Sequence, residues 1–321
     1  MKNTVKAGIF GVCIGDALGV PVEFRSREQL KRSPVTTMRS MGSHRQPAGT
    51  WSDDSSLTLC LADSLCKGYD LEDMALKFLQ WYNAEIWTPY GRVFDIGIAT
   101  SQAIQRIGKG IFPTLCGGYS EFDNGNGSLM RILPLVFYIK DFPIEKRFDI
   151  VKDVSSITHG HIRSVLACFI YLEFALELLK KKDKWEAYRA MQKTVQQFLD
   201  NNPICSQNEM DKFHRILELK VGDYDTQPIH TLEENEISSS GYVLHSLEAS
   251  LWCFLNSESY SEAVLKAVNL GEDTDTTGAI TGGLAGLYYG FGSIPEEWVA
   301  QLVRKDDIEK LCMKLEDQLM K

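Results

Sequence analysis

Apolar residues recur along this chain at intervals of three and four, and the recurrence runs from one end to the other. That spacing lays a continuous apolar stripe along one side of a helix, whereas a half-buried strand needs strict alternation. Alternation is almost absent here, with residues 34–38 a weak exception. The periodicity predicts helices over 5–18, 55–67, 71–83, 95–108, 128–139, 146–157, 161–181, 184–200, 208–220, 242–256, 260–269, 276–289 and 306–319. Several stops are marked by residues that end helices, such as Gly68 after Lys67, Gly108 after Ile107, and the breaker Asn201-Asn202-Pro203. The predicted class is all-α. The longest break, 221–240, carries Gly, Pro, Asp and a run of three serines. It reads as a surface excursion within one domain spanning 1–321, because the acidic motifs described next lie on both sides of it.

Two short segments combine carboxylates and hydroxyls with neighbouring glycines. They are Trp51-Ser52-Asp53-Asp54-Ser55, and Gly271-Glu272-Asp273-Thr274-Asp275-Thr276-Thr277-Gly278. Each is followed by a helical apolar run, so the acids fall at helix starts. A helix start tolerates one carboxylate well, but Asp53, Asp54, Asp273 and Asp275 together would repel unless cations neutralised them. Ser52, Asp53, Asp54, Asp273, Asp275 and Thr276 are all oxygen donors, a set that suits magnesium or manganese better than zinc. Each motif alone also fits helix capping by Ser52 or Thr274 with acids in the first turn. Glycines at 271, 278, 282, 283 and 286 each weaken a helix by about 1 kcal/mol against alanine, so they imply close backbone approach by a ligand or a packed helix.

Composition narrows the remaining possibilities. A chain of 321 residues, 44% of them hydrophobic, can bury a large core. The formal charge of −9 and the lack of a basic stripe beyond clusters such as Lys180–Lys182 argue against a general nucleic-acid binder. The eight cysteines are scattered, and Cys60, Cys168 and Cys253 lie within apolar helical runs, as reduced core residues of a cytoplasmic protein would. Lys6 and Asp16 interrupt the first apolar run and no small-residue cleavage site follows, so neither a signal peptide nor a membrane span is expected.

Further loops carry candidate chemistry. Pro21 ends the first helix and leaves Glu23 just past a turn, within reach of a metal site or as an ordinary loop acid. Asp123-Asn124-Gly125-Asn126-Gly127-Ser128 offers two Asn-Gly steps directly before a predicted helix, a recipe for holding phosphate, with Ser128 and Arg131 as further donors. Thr158-His159-Gly160-His161 lacks a third nitrogen or sulfur for zinc and suits hydrogen bonding to sugar or phosphate, or helix capping. Asp95 reads as a helix cap, and Tyr242 as a core residue or a platform for a base.

The ordered set of motifs resembles the ADP-ribosylglycohydrolase family. The resemblance rests on Gly15-Asp16-Ala17-Leu18-Gly19 with Pro21 and Glu23, on Gly49 to Asp54, on Phe94-Asp95-Ile96-Gly97, and on Gly125 to Ser128 with Met130-Arg131. It continues through Thr158-His159, Ser240-Gly241-Tyr242 and Asn269 to Gly278. It implies a compact orthogonal multi-helix bundle with a dinuclear magnesium or manganese cleft, and hydrolysis of the bond from ADP-ribose to a modified protein side chain. Within that resemblance Ser52, Asp53, Asp54, Asp273, Asp275 and Thr276 correspond to the metal ligands, Ser52 replacing the more frequent threonine. Glu23 and Asp54 are candidate proton relays. Asp95, Asn126, Gly127, Ser128, His159, Tyr242 and Gly271 correspond to substrate contacts.

The implied substrate is an ADP-ribosylated protein and the product ADP-ribose, the chain acting as a monomer. The branch it most resembles implies an arginine N-glycosidic linkage. Serine-linked, polymeric, small-molecule or nucleic-acid-base ADP-ribose presents the same half to the motifs, as it would to a non-catalytic ADP-ribose binder. A metal-dependent phosphatase is a third reading. Linkage specificity is expected from the rim, around residues 39–47, Trp87, Pro89, Tyr90 and 119–122.

Overall fold

A computed structural model of the chain describes residues 3–180, 183–219 and 227–320. Among them the helices are α1 (Thr4–Gly19), α2 (Arg27–Arg32), α3 (Asp53–Leu65), α4 (Leu71–Ala84), α5 (Ile98–Gly108), α6 (Leu135–Ile139), α7 (Ile144–Ser156) and α8 (Ile162–Leu179). They continue with α9 (Lys184–Asn201), α10 (Gln207–Met210), α11 (His214–Leu217), α12 (Val243–Leu255), α13 (Tyr260–Val268), α14 (Thr274–Tyr289), α15 (Glu296–Gln301) and α16 (Lys305–Leu319). Strand-like pairing among the described residues is confined to three isolated bridges, Met41 with Gln46, Gly118 with His159, and Gly125 with Tyr242.

Helices that are apolar on every side belong at the centre of a fold. Residues 7–19 of α1, 163–178 of α8 and 274–287 of α14 are all buried. The segment Thr4–Val22 is long and apolar enough to cross a membrane, yet 94% of its apolar window is buried inside the protein. The glycines explain how α1 and α14 pack. A Cβ on Gly11 would lie 2.2 Å from the Gly282 carbonyl oxygen, and one on Gly15 would lie 2.1 Å from that of Gly278. Gly11 faces Gly282 and Gly286, Gly15 faces Gly278, and Gly19 faces the backbone of Thr274 and Asp275, each helix repeating its glycines at the four-residue spacing that keeps them on one face. Of the two explanations left open by the sequence, helix packing accounts for these positions. Around this pair, α13, α12 and α8 pack on α14, α3 and α16 on α1, α4 on α3, and α7 and α9 on α8.

Several predicted elements are corrected. The helix expected over 128–139 exists only as Leu135–Ile139. Pro134 lacks an amide and disfavours helical backbone before it, and two carbonyls upstream accept from side chains: Arg131 donates to Gly127, and Thr58 to Met130. The helix expected from 95 starts at Ile98, with Gly97 as its N-cap and Asp95 at φ 50°, outside it. The 208–220 helix is broken into α10, a 3₁₀ turn and α11, and it stops at Leu217, where Tyr188, Gln192 and Gln196 of α9 take the carbonyls of Ile216 and Leu217; residue 220 lies outside the described residues. So does 181, at the end of the 161–181 helix.

The 34–38 segment forms no strand. Asn269 instead brackets Val35, accepting from its amide at 2.8 Å and donating to its carbonyl at 3.0 Å. The proposed excursion 221–240 is described from residue 227 onward, and its exposed positions alternate with anchors in the core. Ile229, Leu232 and Ile237 are buried, and Trp252 donates to the Leu232 carbonyl at 2.9 Å.

Candidate active site

The two acidic motifs meet at the starts of α3 and α14. Ser52 caps α3, accepting from the Asp54 amide at 3.3 Å, and Asp273 stands at the cap position of α14. Their helices are joined through one oxygen: Asp54 Oδ2 accepts from Ser52 Oγ at 3.0 Å and from Thr276 Oγ1 at 3.4 Å. Asp16 of α1, unassigned by the sequence reading, anchors the α3 start by accepting the amides of Ser52 at 2.9 Å and Ser55 at 3.0 Å. Its signal was visible as a lone acid inside an otherwise apolar helix.

Glu23 is placed by a turn stitched to the α14 approach. Phe24 donates to the Glu272 carbonyl and Glu272 to that of Arg25, both at 2.7 Å. Gly271, at φ 84°, permits this crossing, since a Cβ there would lie 2.6 Å from the Arg27 amide. Gly271 is therefore a turn residue, and it lies outside the cavity lining. Donor atoms of Glu23, His44, Asp95 and Asp275 all lie within 4.8 Å of one another. His44, singled out by nothing in the sequence beyond its place in 39–47, bonds through Nε2 to Glu23 Oε2 and stands 4.0 Å from Asp95 Oδ2.

The glycine loop forms the next wall. Asn126 Nδ2 donates to Asp273 Oδ2 at 2.7 Å and to Ser246 at 2.8 Å, tying loop to acid cluster. Gly127 must be glycine, because a Cβ would sit 2.8 Å from both His159 Cε1 and Thr100 Oγ1. The expectation of a helix start beneath this loop is wrong for the reason given above. Arg131 is fully buried under the loop, its guanidinium 4.9 Å from the centre of the Phe78 ring, and is no donor to a ligand. Ser128 is buried likewise and accepts from Ser155 at 3.0 Å. Tyr242 lies outside the cavity lining, its ring against His245 and the Arg163 guanidinium, while its neighbour Gly241 lines the cavity.

Electrostatics sets these acids apart from surface carboxylates. Burial raises Asp53, Asp54 and Asp275 well above the usual range, and neighbouring carboxylates add to it. Asp273 rises for the same first reason, against hydrogen bonds from its neighbours. Glu23 is pushed up to about 7, chiefly by burial, against the lowering effect of its His44 bond. His44 is raised by that bond. His159, with Nδ1 on the Thr158 hydroxyl at 2.9 Å, is lowered to about 3 by burial and by Arg131, so it is neutral at neutral pH.

Two buried carboxylate oxygens, Asp54 Oδ1 and Asp275 Oδ2, have no hydrogen-bond partner. An orphaned carboxylate oxygen in a crowd of acids is costly unless a cation completes it. The residues present therefore fit a hard divalent ion.

Most of these groups line a cavity of about 550 Å³, with Ser52 and Asp275 buried beside it and outside its lining. Glu23, Asp53, Asp54, Asp95, Asp273 and Thr276 line its acidic side, and Asn126, Gly127 and His159 also line it. Its mouth carries exposed apolar residues, with Phe24, Ile98 and Phe122 exposed by 73%, 79% and 97%.

Comparisons with known proteins agree with one another. Residues 1–321 match the family model described as ADP-ribosylglycohydrolase. The chain is 32% identical to the ADP-ribosylarginine hydrolase Tri1 of Pseudomonas putida (strain GB-1), over 98% of this chain and 78% of that protein. It is 27% identical to the ADP-ribosyl-[dinitrogen reductase] glycohydrolase of Rhodospirillum rubrum, over 93% and 90% of the two chains. A solved structure described as an ADP-ribosylglycohydrolase-related protein complex superposes with a TM-score of 0.80 at 30% identity, covering 100% of both chains.

Proposed function

Since the chain belongs to the ADP-ribosylglycohydrolase family, we propose that it is a hydrolase releasing ADP-ribose from modified protein side chains, with the arginine N-glycosidic linkage as its substrate. The observation that carries this is the cluster of buried acids beside the Asn126–Gly127 loop in one cavity. Ser52, Asp53, Asp54, Asp273, Asp275 and Thr276 would hold two divalent cations, Mg²⁺ or Mn²⁺. Such ions supply charge neutralisation, orientation of hydroxyl groups and Lewis acidity toward water.

The chain's own groups divide the remaining work. Gly125, Asn126 and Gly127 lie where backbone can approach a diphosphate closely, and His159, neutral and with Nδ1 occupied, offers Nε2 to the ligand. Glu23 lines the cavity and holds a proton near neutral pH, so it is the acid placed to protonate the departing nitrogen. Asp54, with both oxygens enclosed among hydroxyls and acids, is assigned to holding the cation rather than to proton transfer. A cationic guanidinium suits a wall that carries the Asp95 and Asp53 carboxyls better than a neutral serine oxygen does, which favours arginine among the linkages.

The test is release of ADP-ribose from arginine-, serine- and polymer-linked substrates in parallel, with magnesium, with manganese and with chelator. Cation-dependent release from the arginine conjugate is expected. Release from another linkage alone would overturn the specificity, and tight ADP-ribose binding with no release at all would overturn the hydrolase assignment.

A further inference from the structure

His44 occupies a place prepared for it on every side. A tight turn brings it in: Met41 donates to the Gln46 carbonyl at 2.6 Å, and Gly42, at φ 66°, is pressed against Pro21, where a Cβ would overlap the Pro21 carbonyl. The same turn is pinned to the Glu23 backbone, with Ser43 N donating to Pro21 O at 3.1 Å and Ser43 Oγ to Glu23 O at 2.5 Å. The imidazole is then bracketed by two aromatic rings, Phe24 at 5.9 Å and Phe94 at 5.4 Å between centroids. Those rings belong to the residues adjacent to Glu23 and Asp95. Each acid therefore arrives with an aromatic neighbour whose ring lies beside the imidazole, tilted to it by 51° for Phe24 and 50° for Phe94, while its own carboxylate meets Nε2.

From this geometry we infer that His44 is a positioning residue, which fixes the rotamer of Glu23 and its separation from Asp95 so that both face the reacting bond. The inference rests on the assignment of Glu23 as the proton-transferring acid. With Oε2 engaged by His44, Oε1 is the Glu23 oxygen left for the leaving nitrogen, since it has no hydrogen bond among the described residues. Without the imidazole, Glu23 keeps its backbone place but its side chain regains rotamer freedom, and a misplacement of about 1 Å can cost on the order of 100-fold in rate. The ADP-ribose contacts at Asn126, Gly127 and His159 do not involve His44, so affinity for the product should be untouched.

The experiment compares His44→Ala, His44→Gln and Glu23→Gln, each folded by its melting curve, on the arginine-linked substrate. Expected are a fall in kcat of about 10- to 100-fold for His44→Ala with KM changed less than about threefold. Glutamine places an amide donor near the Nε2 position, so His44→Gln should recover kcat to within about threefold of wild type. Calorimetric ADP-ribose affinity should match wild type in both variants. Should His44→Ala fail to fold, Phe94→Leu, which removes one bracket and leaves the hydrogen bond, replaces it and is expected to lower kcat alone. Full kcat in His44→Ala, or no recovery in His44→Gln, overturns the inference. Full kcat in Glu23→Gln overturns the underlying assignment of Glu23, so the two failures are distinguishable.

Discussion

Replacing Asp275 by asparagine should make the metal-free protein more stable while abolishing its response to divalent ions. Asp275 is 1% exposed and its donor oxygen lies within 4.8 Å of those of Glu23 and Asp95. At that separation and an effective dielectric of about 20, each ionised pair repels by about 3.5 kcal/mol. The cationic form of His44, favoured by its hydrogen bond to Glu23, offsets roughly one such pair. Isosteric loss of the Asp275 charge should thus relieve about 3.5 kcal/mol at pH 8, above the value near 7 to which Glu23 is raised. For a chain of this size that is a rise in Tm of about 5 °C.

The wild type should gain the comparable amount from metal instead. An ion at 100 times its Kd contributes about 2.7 kcal/mol. The assay is thermal unfolding of both proteins at pH 8, with chelator and with Mg²⁺ or Mn²⁺. Wild type should melt about 5 °C higher with ion, and Asp275→Asn should shift by less than about 2 °C. If the variant melts below wild type in chelator and still rises with the ion, the acids are not held together for a cation and the site has been misjudged.

Gly282→Ala would put a Cβ 2.2 Å from the Gly11 carbonyl oxygen; overpacking should outweigh the gain in helix propensity and cost about 2 kcal/mol net, read from urea unfolding. Gly127→Ala, whose Cβ would crowd His159 and Thr100 at 2.8 Å, should weaken ADP-ribose binding about tenfold by calorimetry while moving Tm by less than about 2 °C. His159 is neutral in the fold, its value lowered to about 3, whereas the unfolded chain protonates it below about 6.5. The unfolded state therefore binds the extra proton between those values, and stability falls as pH falls. On acidification from 7 to 5, wild type should lose about 2 kcal/mol relative to His159→Gln, measured as the difference between their urea midpoints at the two pH values.

Much of the helical framework was legible because the apolar stripes of the long helices are unbroken and their ends carry glycine or an N-cap. What failed did so where side chains compete with backbone. The predicted 128–139 helix was lost to Pro134 and to Arg131, whose guanidinium takes the Gly127 carbonyl, a tertiary contact that no local propensity encodes. The same arginine shows the limit of reading a site from a motif: beside an Asn-Gly loop it looked like a phosphate donor, and it is instead the loop's internal brace. Asp16 was visible in the sequence but given no role, because an acid within a helix does not say which amides it accepts, whereas His44 escaped notice because a lone histidine in a polar loop has no periodicity to betray it.

The glycine pairing of α1 and α14 does more than fill the core. Its last member, Gly19, lies against the start of α14, where a Cβ would fall 2.3 Å from the Asp275 amide, and Thr274 Oγ1 donates to the Gly19 carbonyl at 2.8 Å. Immediately beyond Gly19 the chain turns through Val20–Val22 to present Glu23. Backbone contact at this point therefore fixes the distance between Glu23, at the end of the first helix, and Asp275, some 250 residues later, with no side chain between them to flex. A cluster of like charges tends to push its supports apart, and a backbone-to-backbone seam with hydrogen bonds across it is a stiff support. The helices most deeply buried and the acids most strongly repelling are thus parts of one device. The small residues that weaken α14 as an isolated helix are what allow it to bring two carboxylates, in its cap and first turn, into the acid cluster.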